Sequence, residues 1–295
     1  MSTPQPMLIQ HVKQLVLLGV AGLVFALFAK SKGYFTLPAA EKRFSLLFRY
    51  LLIGFLIYFV VSFLISPLLS LIVFHQSSIK GMSNDELNIS KIFFVNTFIT
   101  CLTAVGLLIH LVKLPLGIRQ EIIKSPFSKS SYLTDIGMGL LSWVIAFPIT
   151  LFVSQLVEVI VKYVFNITRL PDQIAVYYLK KTMDYPIIFA VTIIVIAILA
   201  PLIEEYLFRG LLQNFLRSKI GRKAAILLTA LIFSLFHFSL HQKISNIVII
   251  FSLFVLALFL GFIYEKQRSL VSACVLHIAF NSFSILSVSI FQTGG

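Results

Sequence analysis

The sequence predicts an all-α, polytopic transmembrane helical bundle of about eight membrane helices. Three observations carry that prediction. Apolar residues make up 59% of the chain and charged residues only 12%, with a mean hydropathy of +0.99, whereas soluble domains hold about 25% charged residues. The apolar residues gather into eight runs, most of them near the ~20 residues that cross a bilayer. The basic residues sit mainly in the short polar stretches between those runs. The net charge of +13 is therefore read as a topology signal, and no nucleic-acid partner is expected.

The runs fall at 14–29, 46–74, 92–112, 133–165, 187–208, 224–240, 244–264 and 269–290. The first is short and follows Lys13, but "FALFAKSKG" lacks a small-x-small cleavage site, so it is read as a retained anchor. The second and fourth are long enough to tilt or kink, and Pro67 and Pro148 are the expected kink positions. The sixth is marginal in length. The connections around 75–90, 113–131 and 166–186 are too short to hold a soluble domain. Fifteen basic residues lie in the odd-numbered loops, at Lys30, Lys32, Lys42, Arg43, Arg49, Lys113, Arg119, Lys124, Lys129, Arg217, Lys219, Arg222, Lys223, Lys266 and Arg268. Eight lie on the other side, at Lys13, Lys80, Lys91, Lys162, Arg169, Lys180, Lys181 and Lys243. The positive-inside rule then places the odd loops in the cytoplasm and both termini outside. Cys101 and Cys274 lie in apolar runs without paired spacing and are expected to be buried and structural.

Ionisable groups inside membrane segments are functional candidates by default. Some have a plain structural reading. Glu158 and Lys162 are four residues apart and are expected to pair on one helix face. Asp135, near the start of its run, is expected to be interfacial, and His75 and His110, at run ends, to be solvated. The C-terminal third differs. Glu205 with Arg209, His237 with His241, and His277 with Asn281 each repeat at a spacing of four, which places each pair on one face of its helix. Counted from the basic end, Glu204, His237, His277 and Asn281 fall at similar depth, about 12–20 Å in. Three apolar helices carrying polar faces at one depth are expected to face each other or a wet cavity.

That set permits water activation by a carboxylate with a histidine, and stabilisation of an oxyanion by imidazole and amide N–H groups. Glu204 and Glu205 project about 100° apart and cannot share one task. Arg209 takes Glu205 as an ion-pair partner, which leaves Glu204 for the cavity. A carboxylate in low dielectric holds a proton more strongly, as a general base must. No Ser or Cys stands beside a His as a nucleophile would, so direct attack by water is favoured. Zinc is the other option, with Glu204, His237, His241 and His277 as ligand types, although "HFSLH" lacks the Glu of the soluble metalloprotease motif.

The stretches "EEYLFRG" (Glu204 to Gly210), "FSLFH" (Phe233 to His237) and "HIAFN" (His277 to Asn281) resemble, in order, the EExxxR, FxxxH and HxxxN motifs of the CPBP family. That family comprises the type II CAAX prenyl endopeptidases and the bacteriocin-processing, Abi-type intramembrane proteases. The resemblance covers about 187–290 and implies a catalytic helical core there, with 1–180 as N-terminal membrane helices of unassigned role. It implies that Glu204 and His237 activate the hydrolytic water, that His277 and Asn281 hold the oxyanion, and that Glu205 and Arg209 support the site. His241 has no counterpart in the motifs. Family descriptions divide between a metalloprotease, here with Glu204, His237 and His277, and a metal-free glutamate mechanism. The metal-free form is favoured, with no cofactor, because a metal would leave Asn281 in its ligand shell or idle. The implied partners are membrane lipid and a membrane-associated peptide or protein, prenylated or not, and the implied location is a bacterial cytoplasmic membrane. A non-catalytic immunity or scaffold protein, or a proton-coupled carrier, is the alternative, since intramembrane Glu and His also build proton relays.

Overall fold

The structure is a computed structural model that describes residues 5–39, 46–75, 84–168 and 170–293. Of the basic topology signals, Lys42, Arg43, Lys80 and Arg169 lie outside those residues. Ten helices form the bundle among the described residues: α1 (Gln5–Ser31), α2 (Phe48–His75), α3 (Asn84–Lys113), α4 (Leu116–Ile123), α5 (Tyr132–Val164), α6 (Ile174–Thr182), α7 (Pro186–Ile220), α8 (Arg222–Phe236), α9 (Ser245–Gln267) and α10 (Leu270–Thr293). Seven of them are long and apolar enough to cross a membrane, as expected of an integral, multi-pass protein. The remaining apolar run forms α8, which has 15 residues and reaches only about 22 Å.

The apolar patterning explains the packing. α5 lies against α1, α9 and α10, and α9 lies against α8 and α10. Ala146, Leu256, Leu260, Ile263, Tyr264, Ala273 and Leu276 form the buried core between α5, α9 and α10. A second core joins α2, α3, α7, α8 and α9 through Leu51, Leu107, Phe208, Leu211, Phe233 and Ala257. Outward-facing residues such as Leu133, Leu71 and Phe63 are exposed and apolar, the arrangement lipid requires.

Close helix approach depends on Gly139. A Cβ there would stand 2.7 Å from the Ser272 carbonyl oxygen, so α5 and α10 meet only because that atom is missing.

Proline shapes two of the crossings, α2 and α7. In α2 a π-helical turn spans Val61–Ile65 just before Pro67, and in α7 another spans Val195–Leu199 just before Pro201. Proline brings no N–H and its ring crowds the carbonyl four residues back, so a wider turn relieves both. Pro148 is instead carried within α5 and is buried.

Four basic connections meet at one end of the bundle. Arg222 Nη1 donates to the Pro38 carbonyl (2.6 Å), Lys266 Nζ to Thr36 (2.9 Å), and Arg268 to Ala39 (2.7 Å) and Phe127 (3.1 Å).

Several polar residues differ from expectation. Asp135 is fully buried, because Lys124 Nζ (2.7 Å) and Ser130 Oγ (2.5 Å) both reach its carboxylate. His110 is buried and not solvated, its Nδ1 lying 2.8 Å from the Tyr206 hydroxyl where α3 meets α7. Cys101 is exposed on the outer face of α3, while Cys274 is buried. Glu158 and Lys162 pair at 2.6 Å, as their spacing predicts.

Candidate active site

Glu204 and Glu205 end the short α-helical stretch of α7 that contains Pro201. The following turns, Tyr206–Gln213, are π-helical, and all eight of these residues are buried. The Asn214 amide satisfies the carbonyls of Gly210 (2.9 Å) and Arg209 (3.4 Å) that the wide turns would leave exposed. Arg209 Nη1 donates to Glu205 Oε1 (2.9 Å), both side chains being fully buried. The Arg209 guanidinium also donates to the Ala257 carbonyl (3.2 Å) and lies 4.5 Å from the centre of the Phe233 ring.

His237 ends α8 and does not sit mid-helix. Its φ of −89° and ψ of 2° fall in the bridge region that many active-site residues occupy. The chain then turns through Leu240–Gln242, so His237 and His241 do not share a helix face, and His241 is exposed. Asn246 holds this turn: its amide donates to the carbonyls of Ser239 (2.7 Å) and Lys243 (2.8 Å), and its oxygen accepts from the Ser239 N–H (3.0 Å). The only hint of Asn246 in the sequence is an amide at the start of an apolar run.

The three motif helices converge on Glu204. Its Oε1 is 3.9 Å from His237 Nε2, and its Oε2 is 3.8 Å from His277 Nε2. The opposite nitrogens are engaged. His237 Nδ1 lies 2.9 Å from the Phe233 carbonyl, and His277 Nδ1 lies 2.8 Å from Glu205 Oε1. Both acceptors require an N–H at Nδ1, so in neutral rings each Nε2 lone pair faces Glu204. Glu204 and His237 are about a quarter exposed, while His277 is buried. Residues 186–283 match the family model of type II CAAX prenyl endopeptidase, Rce1-like. No curated protein and no solved structure matches the chain.

The matched segment begins at the first residue of α7 and contains all seven residues named by the motifs. Five of them, Glu204, Glu205, Arg209, His237 and His277, form one connected group. Asn281 is placed differently. Its amide donates to the Ile196 carbonyl (3.1 Å) within the wide turn before Pro201, so at least one of its N–H groups serves the fold of α7. Outside the matched segment, Tyr58 of α2 comes within electrostatic reach of Glu204. Its ring packs 5.3 Å from that of Phe236, the residue before His237. A tyrosine in an apolar run gives no such signal in sequence.

The spacing at Glu204 suits a water. Two hydrogen bonds of about 2.8 Å that meet at one oxygen span 3.9 Å at an angle near 90°. The donor types are those of a zinc site, and the Nδ1 partners resemble the outer contacts such sites use. The spacing is not: among the described residues no three His, Cys, Asp or Glu side chains stand close enough to hold a metal ion.

Proposed function

We propose that this protein is an intramembrane endopeptidase that hydrolyses a peptide bond of a membrane-associated substrate, using water activated between Glu204 and His237. The reading rests on one observation above all: Glu204 faces two imidazole Nε2 atoms, 3.8 and 3.9 Å away, whose rings are each fixed through Nδ1. The Rce1-like match at 186–283 supports the same class of activity and makes a CAAX-type substrate, prenylated or not, the first to test.

In this mechanism Glu204 accepts a proton from the water as its oxygen attacks the scissile carbonyl carbon. His237 Nε2 accepts a hydrogen bond from the same water and orients it. The tetrahedral oxyanion then needs donors. His277 supplies one when Nε2 carries a proton, and the Glu205 carboxylate against Nδ1 offsets the charge this places on the ring. Asn281, one turn further along α10, offers its second amide N–H. Collapse of the intermediate breaks the C–N bond, and Glu204 returns its proton to the leaving amine. Arg209 holds Glu205, and Glu205 holds His277.

The decisive experiment is Glu204→Gln in protein purified into nanodiscs and in cells, read by mapping new peptide termini in the membrane proteome. Loss of cleavage by at least ~100-fold, with insertion and folding unchanged, is expected. Full cleavage by Glu204→Gln overturns the proposal.

A further inference from the structure

We propose that Asn246 is a positioning residue for His237: its side chain stops α8, which leaves the Phe233 carbonyl to hold the imidazole. The proposal rests on the role given to His237 above. In an unbroken α-helix each backbone N–H donates four residues back. The His237 N–H would then take the Phe233 carbonyl, and the Ser239 N–H the Leu235 carbonyl. The chain does otherwise. The His237 N–H donates to Ser234 (3.2 Å) and the Phe238 N–H to Leu235 (3.0 Å), each three residues back. This tightened last turn gives the Phe233 carbonyl to His237 Nδ1 at 2.9 Å. The Ser239 N–H goes to Asn246 Oδ1 at 3.0 Å, and the Asn246 amide donates to the Ser239 carbonyl at 2.7 Å. Asn246 thus takes the donor that would continue α8.

Asn246 is itself fixed. It is the second residue of α9 and is buried, and the turns that follow it place Val248, Ile249 and Ser252 in the core. The connection it holds is strained. Lys243 has a φ of 44° and a ψ of −122°, a region that glycine enters at far lower cost than other residues. Such a residue persists where its surroundings over-determine it. The Asn246 amide donates to the Lys243 carbonyl at 2.8 Å, while the Lys243 side chain is exposed. One side chain therefore ties both ends of the turn, Ser239 and Lys243.

Loss of Asn246 frees the Ser239 N–H to extend α8. The His237 N–H then competes for the Phe233 carbonyl, and the ring is free to carry its proton on Nε2. The Nε2 lone pair that faces Glu204 is lost in that tautomer, and with it the acceptor that orients the water.

The test uses the full chain in nanodiscs with isotope-labelled histidine. Solid-state NMR reads which ring nitrogen carries the proton, at a pH where the rings are neutral, and the His237 signal is the one missing from His237→Gln. Wild type should hold the proton on Nδ1, and Asn246→Ala should show an Nε2–H population. Lys243→Gly removes the strain that Asn246 offsets. Asn246→Ala/Lys243→Gly should therefore recover the Nδ1–H form, and it keeps the test valid should the single variant fold poorly. Gly139→Ala, which loosens the bundle elsewhere, should leave the tautomer unchanged. Cleavage is followed in parallel on a membrane peptide found by mapping new termini. The kcat of Asn246→Ala should fall by up to ~100-fold, the cost of misplacing a reacting group by about 1 Å, with KM unchanged. A wild-type His237 with its proton on Nε2, a wild-type tautomer in Asn246→Ala, or an unchanged kcat in that variant overturns the proposal. Absence of cleavage by wild type counts against the endopeptidase instead, because the tautomer is read without substrate.

Discussion

Replacing Glu205 by glutamine separates the support of the site from its chemistry. The substitution removes one negative charge from a pair whose side chains are both fully buried, 2.9 Å apart. Leaving one partner of such a pair uncompensated costs about 3–5 kcal/mol. Glutamine keeps one oxygen, and the hydrogen bond it retains, to Arg209 or to His277, returns about 1 kcal/mol. The Phe233 ring and the Ala257 carbonyl still hold the guanidinium. The margin is thin, because Glu205 Oε2 and Arg209 Nε have no hydrogen-bond partner among the described residues. The net expectation is a loss of about 2–4 kcal/mol. Unfolding by SDS in mixed micelles, followed by the fluorescence of Trp143, the single tryptophan, would measure it. Glu205→Leu/Arg209→Met should recover most of the loss, since both charges then leave the core together. A Glu205→Gln protein within about 0.5 kcal/mol of wild type, or a double variant as unstable as the single one, would refute the reasoning.

Tyr58→Phe keeps the packing on Phe236 and removes the hydroxyl near Glu204. Turnover should fall, with KM and melting temperature unchanged; unaltered turnover would remove Tyr58 from the site. Gly139→Ala forces a Cβ against the Ser272 carbonyl oxygen, 2.7 Å away, and should destabilise the bundle by about 1–3 kcal/mol in the same unfolding assay, whereas a neutral effect would mean that α5 and α10 can part freely. Exhaustive chelation of the purified enzyme should leave cleavage intact and zinc below stoichiometric amounts by elemental analysis. Loss of cleavage that zinc restores would replace the metal-free mechanism with a metal-dependent one.

Much of this was legible because helix geometry is strict. The spacing of four makes Glu205 and Arg209 partners, and the 100° offset separates them from Glu204. The matching depths of Glu204, His237 and His277 anticipate their convergence on one another. What was not legible depends on tertiary contact. Nothing local marks the stop of α8 at Phe236; it comes with a turn tied by Asn246, nine residues beyond His237. His110 is buried because Tyr206 and α7 cover it. Glu121, in a short polar helix, is buried because Ser125 reaches its Oε2 at 3.0 Å and Arg217 closes over it from α7 at 4.0 Å. Asn281 drew attention for its motif, yet its amide also mends a carbonyl that a proline elsewhere in the chain disturbs.

The shortness of α8 has a further consequence. At about 22 Å it falls some 12 Å short of α9 beside it, which has 23 residues. The turn that bridges this gap carries Ser239, His241, Gln242 and Lys243, with Phe238 and Leu240 exposed among them. Lipid beside the turn must thin, or headgroups must dip, to meet those polar groups. Either response draws the aqueous boundary down towards His237. The proposed hydrolysis needs a supply of water at that depth, and a deformed leaflet is where this bundle would obtain it.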